Sequence, residues 1–221
     1  MDYQIIPVLE PAQVARLLSA LDSHPFVDGK ATASGIARDI KHNLQAERTG
    51  DSLAELDQLV SSSLYANSVF QAFAFPKRVR APIFSRYESG MNYGSHVDGA
   101  IMNDNGNLLR ADLAVTLFLS PPESYDGGEL VIELAYGEEE IKLAAGEAVV
   151  YSADSVHRVE PVTRGVRMAA VTWVQTAVRD SRMRTLLFDL FLALQKVEAN
   201  EDPKLLLSKS YHNLLRMTSE F

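Results

Sequence analysis

The chain has 221 residues, 47% of them apolar and 23% charged, the balance of a globular protein with a sizeable core. Acids outnumber bases by 29 to 21, a formal net charge of −8. That balance argues against general binding to nucleic acid or anionic membranes, since phosphate neutralisation needs clustered Lys and Arg. No cysteine is present, which excludes structural disulfides, zinc–thiolate sites and cysteine nucleophiles.

The opening MDYQIIPVLEPAQ has no basic leader region and no long apolar run. No stretch has the length of a bilayer span, so a cytoplasmic protein is the expectation. LEPAQVARLLSALDSH places Val14, Leu17, Leu18 and Leu21 at helical spacing, with Pro11 near its start. After a polar stretch through Gly50, DSLAELDQLVSSSLYANSVFQAFAF predicts a second, longer helical region ending at Pro76, weakest at Ser61–Ser63. From residue 78 the pattern becomes short β-type runs: APIFSRYE, LAVTLFLS, GELVIEL, EAVVYS, HRVEPV and VRMAAVTWVQ, separated by Gly, Pro, Asp and Asn. Such strands without intervening helices predict an antiparallel jelly roll. Two helices follow, RDSRMRTLLFDLFLALQKVEAN and PKLLLSKSYHNLLRMTSEF. The expected organisation is a helical region over 1–77 packed on the core, a β core over 78–178, and C-terminal helices over 179–221. LLFDLFLALQ is apolar nearly all round, which suits packing on the β core or a homodimer interface.

Only five histidines occur. His96 and Asp98, in RYESGMNYGSHVDGAI, have i, i+2 spacing, which on a strand puts both side chains on one face. His157 begins a late β segment that an antiparallel sandwich can return beside them. Two histidines and one carboxylate form the facial triad of non-haem Fe(II) oxygenases, which leaves three positions open. Zinc could use the same donors, but with four-coordinate geometry and one open site. PVTRGVR reads as a hairpin, with Thr163, Arg164 and Gly165 as the loop and Gly165 left-handed. On that register Val162 pairs with Val166, Pro161 with Arg167, and His157 with Val171. His157, Val159, Pro161, Arg167, Ala169, Val171 and Trp173 then share a face. Arg167 would stand roughly 13 Å along from His157, at ~3.3 Å per residue, a gap that a small dicarboxylate and an arginine fork could bridge.

RYESGMNYGSHVD, DGGEL at 126–130 and HRVEPVTRGVR together resemble the Fe(II)- and 2-oxoglutarate-dependent dioxygenases of the prolyl-4-hydroxylase type. VTWVQTAVRDSRMRTLLFDL is similar to bacterial PKHD-type hydroxylases, including those associated with iron uptake. The resemblance covers most of the chain and implies a double-stranded β-helix core. It implies iron ligation by His96, Asp98 and His157, with Arg167 binding the distal carboxylate of 2-oxoglutarate. It places Tyr87, nine residues before His96, in the cosubstrate pocket. Tyr93 and Trp173 are expected to line the cavity. The implied reaction hydroxylates a small-molecule or peptidyl substrate with O2, yields succinate and CO2, and is often associated with ascorbate as reductant. Relatives that halogenate lack the carboxylate, so Asp98 implies hydroxylation.

More ordinary roles compete for several residues. His96 could be a surface histidine and Asp98 a turn residue. Tyr87, Tyr93 and Trp173 could be core residues, each buried tyrosine with a satisfied hydroxyl. A cupin-like metal protein that does not use 2-oxoglutarate, or a binding module without turnover, would share the β architecture without needing Arg167. Arg164 is expected to face solvent, DGGEL to form a turn, Glu138–Glu140 to form a solvated hairpin tip, and His24, His42 and His212 to be surface residues. Residues 99–110 suit either a lid or a plain connecting loop.

Overall fold

Alternation along two central strands sets the layers. In Leu113–Phe118, Leu113, Val115 and Leu117 pack toward helices, while Ala114 and Phe118 pack toward a second sheet. In Arg167–Thr176, Met168, Ala170 and Val174 belong to the helix-side cluster, and Val171 and Trp173 to the inter-sheet cluster. A side-chain period of two makes this division automatic once the strands are paired. The computed structural model describes residues 3–32, 35–104, 106–198 and 202–220.

The larger sheet runs in the order Tyr3–Pro7, Glu147–Ser152, Leu113–Phe118, Arg167–Thr176, Ile83–Tyr87, Leu44–Ala46, Phe26–Asp28, with Pro76–Val79 also paired to Arg167–Thr176. The smaller sheet runs Gly137–Ile141, Leu130–Leu134, His157–Val159, Asn92–His96, Lys41–His42. The pairings in both are antiparallel, giving the expected jelly-roll core with flanking helices.

The helices are α1 (Pro11–Asp22), α2 (Ile36–Asp39), α3 (Ala54–Ala66), α4 (Ser68–Ala74), α5 (Ser181–Lys196) and α6 (Asp202–Thr218). Leu17 and Leu21 of α1, Val60 and Leu64 of α3, and Phe70 of α4 are buried against the outer face of the larger sheet, each worth roughly 1.5–3 kcal/mol of apolar burial. In α5, Phe188 joins this cluster and meets Phe73 edge-on at 5.3 Å. The apolar C-terminal helix thus packs on the core through one of its faces.

Four expectations need correction. The long helical region is two helices, and the break lies at Asn67 rather than at the serines: its side chain caps α4 by accepting from the Phe70 N–H at 2.9 Å. The first 77 residues are not solely helical. Short segments such as Tyr3–Pro7, Lys41–His42 and Leu44–Ala46 complete both sheets, too short to show a period in sequence. The acidic run Glu138–Glu140 is not a tip but an edge strand, with Glu138 paired to Arg158 and Glu139 accepting from the Tyr3 hydroxyl.

The fourth correction concerns the His157–Arg167 hairpin, which does not form. His157–Val159 pairs with Leu130–Leu134 and Asn92–His96 in the smaller sheet, whereas Arg167–Thr176 lies in the larger one. Between them Val162–Arg164 pairs with Asp126–Gly127, and the chain crosses between sheets, a corner typical of sandwiches. Pro161 is exposed, off the shared face. Gly165 is left-handed as expected, at φ 76°. Within residues 99–110, expected to form either a lid or a plain connecting loop, Ile101–Asp104 pairs antiparallel with Asn107–Arg110; Asn105 lies outside the described residues.

Candidate active site

Strand pairing assembles the centre. His157 stands directly opposite His96 across adjacent antiparallel strands, with ring centroids 4.3 Å apart. The strand ends at His96, and Asp98 follows just beyond it, its side chain turned back toward both rings. The carboxylate lies 4.0 Å from His96 Nε2 and 3.9 Å from His157 Nε2. These three residues form the metal-capable cluster found among the described residues, their ligand atoms all within 4.8 Å of one another.

The surroundings fix which atom each ring presents. His96 Nδ1 donates to the Gly94 carbonyl at 2.8 Å, and His157 Nδ1 donates to the Ser155 carbonyl at 3.0 Å. In the neutral rings this tautomer leaves each Nε2 lone pair aimed toward Asp98, the arrangement a divalent ion requires. Burial, with the neighbouring His157, pushes His96 down to about 4, so no proton competes at neutral pH. Burial raises Asp98 above the usual carboxylate range, opposed by His157 and by a hydrogen bond from Trp173. Trp173 Nε1 donates to Asp98 Oδ2 at 2.8 Å, and Tyr93 stacks on His96 at 3.6 Å. Trp173 and Tyr93 are thus more than lining: each touches a member of the triad.

Arg167 occupies the opposite sheet. It is 1% exposed, its Nε and Nη2 have no hydrogen-bond partner, and no carboxylate among the described residues pairs with it. Tyr87 lies opposite it in register, and the guanidinium sits 5.2 Å from the Tyr87 and Phe118 rings. An unpaired buried cation is costly unless an anion joins it. Gly128, at φ 68°, makes the space: a Cβ there would stand 3.0 Å from Arg167 Cδ. DGGEL therefore shapes this pocket as well as turning the chain. Arg164 instead pairs with Asp126 at the surface.

One cavity of about 500 Å3 contains His96, Asp98, His157, Arg167, Tyr87, Tyr93 and Trp173. All seven sequence-predicted residues converge there. Sequence reasoning missed Lys41, Asn43 and Arg80, which also line it. Lys41 and Asn43 come from short N-terminal strands or their flanks with no legible period, and no spacing links them to the histidines. The donors, the tautomers and an orphaned guanidinium fit a divalent ion together with a carboxylate-bearing ligand.

Comparison with known proteins agrees. Residues 82–175 match the family model of the 2OG-Fe(II) oxygenase superfamily. A PKHD-type hydroxylase of Burkholderia ambifaria is 47% identical over 219 residues, covering 96% of each chain. One from Synechococcus elongatus is 45% identical, covering 96% of this chain and 97% of its own. In fold, a Pseudomonas putida prolyl-4-hydroxylase superposes with a TM-score of 0.53 at 23% identity, over 79% of this chain and 92% of that one. A Trichoplax adhaerens prolyl hydroxylase gives 0.57 at 19% identity, over 84% and 86%. With near-complete coverage at such identity, the chain belongs to the PKHD-type hydroxylases of the 2OG-Fe(II) oxygenase superfamily, a family of 2-oxoglutarate-dependent dioxygenases.

Proposed function

We propose that His96, Asp98 and His157 hold Fe(II), that Arg167 binds the distal carboxylate of 2-oxoglutarate, and that the enzyme hydroxylates a C–H bond. The observation that carries this reading is Arg167, a fully buried cation with unpartnered nitrogens in the same cavity as three convergent metal donors. When bound, iron and 2-oxoglutarate would supply the oxidising power, with oxidative decarboxylation to succinate and CO2.

The chain's own residues then orient and desolvate. The Gly94 and Ser155 carbonyls hold the two imidazoles with Nε2 inward. Trp173 orients Asp98 by one hydrogen bond. Arg167, clamped between the Tyr87 and Phe118 rings, meets a carboxylate without first rearranging. Tyr87 forms the wall beside it. The presence of Asp98 favours hydroxylation over chemistry that needs its place vacant.

The family resemblance supports a substrate linked to iron uptake. A cupin-like protein that does not use 2-oxoglutarate would have no need of Arg167. Substituting Arg167→Ala is expected to raise KM for 2-oxoglutarate tenfold or more, since truncating one side of a buried charge pair costs about 2–5 kcal/mol, while Fe(II) affinity changes little. Equal losses in both would refute the assignment.

A further inference from the structure

The cavity is lined by two further cations, and among the described residues neither makes an ion pair. Lys41 is only 6% exposed; its Nζ donates to the Thr32 hydroxyl at 3.0 Å, a neutral partner. Arg80 is half-buried, and its sole polar side-chain contact among the described residues is a 3.4 Å approach of Nε to the Asn103 carbonyl. The Asp98 carboxylate, and behind it Asp28, attract Lys41 through the cavity, and Asp104 attracts Arg80, but among the described residues none of them makes an ion pair with either cation; Asp104 pairs instead with Arg78.

Elsewhere the chain treats its enclosed cations differently. Arg158 grips Glu138 with two bonds, and Arg110 does the same with Asp112. Arg184, similarly buried, anchors two carbonyls at 2.9 Å. A buried ammonium held by one hydroxyl and the face of a tyrosine ring, with no ion pair among the described residues, is only partly compensated. A purely structural lysine at position 41 is thus a weaker account than one that awaits an anion.

Their placement relative to the triad is symmetrical. Lys41 lies opposite Tyr93 in register with its Nζ 5.1 Å from that ring, and Tyr93 stacks on His96. The Arg80 guanidinium lies 5.4 Å from the Trp173 ring, and Trp173 bonds Asp98. Each cation stands one aromatic ring away from a different metal ligand. Charge accounting points the same way. A divalent ion and a dianionic cosubstrate would cancel, as would Asp98 and Arg167. Lys41 and Arg80 remain, two positive charges in a chain whose net charge is −8.

We propose that Lys41 and Arg80 form the substrate-recognition subsite and that the substrate is an anion, a small molecule bearing a carboxylate or phosphate-type oxyanion beside the reacting carbon. This rests on the iron–cosubstrate reading above. A cavity of about 500 Å3 has room for such a molecule beside 2-oxoglutarate, small-molecule sites running to roughly 300–1,000 Å3. Lys41 and Arg80 recognise its acid group, while Tyr93 and Trp173 hold the cations in place.

The test uses full-length protein loaded anaerobically with Fe(II) and saturating 2-oxoglutarate, with the visible charge-transfer band confirming loading. Four probes of similar shape are titrated by calorimetry: phenylacetate, benzylphosphonate, phenylacetamide and phenethylamine. At least one oxyanion is expected to bind tenfold or more tighter than the amide, with the band retained. Lys41→Met and Arg80→Met should each erase most of that preference and leave the amide unchanged. The better of the two oxyanions identifies the acid class. The proposal is overturned if no probe binds, if the amide or amine matches the oxyanions, if binding abolishes the band by displacing the cosubstrate, or if both variants keep the preference. Failure of the band to form in the loaded wild type would instead refute the underlying iron and cosubstrate assignment.

Discussion

Trp173→Phe removes one hydrogen bond from the centre and little else. The indole Nε1 donates to Asp98 Oδ2 at 2.8 Å, and a phenyl ring keeps most of the buried surface and still offers Arg80 a face. A hydrogen bond to a charged group contributes about 1.5–3 kcal/mol, which at ~1.4 kcal/mol per decade is roughly a 10- to 100-fold loss of Fe(II) affinity. The bond also opposes the rise in the Asp98 pKa caused by burial. Without it the carboxyl holds its proton to higher pH, and the proton competes with the metal over a wider range. Anaerobic Fe(II) titrations from pH 5.5 to 8 measure both effects. The variant is expected to bind more weakly throughout, with its loss growing toward low pH. Affinity within twofold of wild type and an unchanged pH profile would refute the role given to Trp173.

Three other outcomes follow from the same geometry. Arg167→Met should leave the ligand-free protein at least as stable as wild type, because an unpaired buried cation is removed; thermal denaturation should also show loss of the shift with 2-oxoglutarate, about 2.7 kcal/mol at a hundredfold excess over Kd. Gly128→Ala should raise KM for 2-oxoglutarate and destabilise the fold by ~1–2 kcal/mol, since φ is 68° and the new Cβ would press on Arg167 and Val162; unchanged kinetics would count against Gly128 shaping the pocket. Burial lowers Lys41 from its ordinary 10.5 to about 8. Between those values the unfolded chain binds more protons, so stability rises with pH. Relative to Lys41→Met, the ligand-free wild type should therefore carry a full penalty below pH 8, on the order of 3 kcal/mol, that fades toward pH 10.5. Urea denaturation across that range measures it; a constant difference would contradict the burial of a charged amine.

Local signals carried much of the site. His96 and Asp98 lie two positions apart at a strand end, and Gly165 takes the left-handed turn its motif requires. The alternation of Arg167, Val171 and Trp173 correctly placed them on one inward face. What failed was partnership between segments. A hairpin was the local choice for His157–Val171, but Val162 bonds the backbone of Gly90 and Met91 and pulls the chain across to the other sheet. The convergence survives because the two sheets face each other, so inward residues of separate layers meet. Lys41 was illegible because a two-residue strand has no period, and its register with Tyr93 is set by tertiary pairing. Likewise, nothing in sequence tells that Trp173 would reach a carboxylate 75 positions earlier.

The central claim, that one cavity binds iron through His96, Asp98 and His157 and presents 2-oxoglutarate to it, is tested most directly by anaerobic titration with Fe(II) and then 2-oxoglutarate. The visible spectrum of wild type is followed beside that of Asp98→Ala. A weak lilac charge-transfer band in wild type, absent from the folded variant, is the predicted result. Tight iron binding with no band in wild type would contradict the account and leave a metal protein that does not use 2-oxoglutarate.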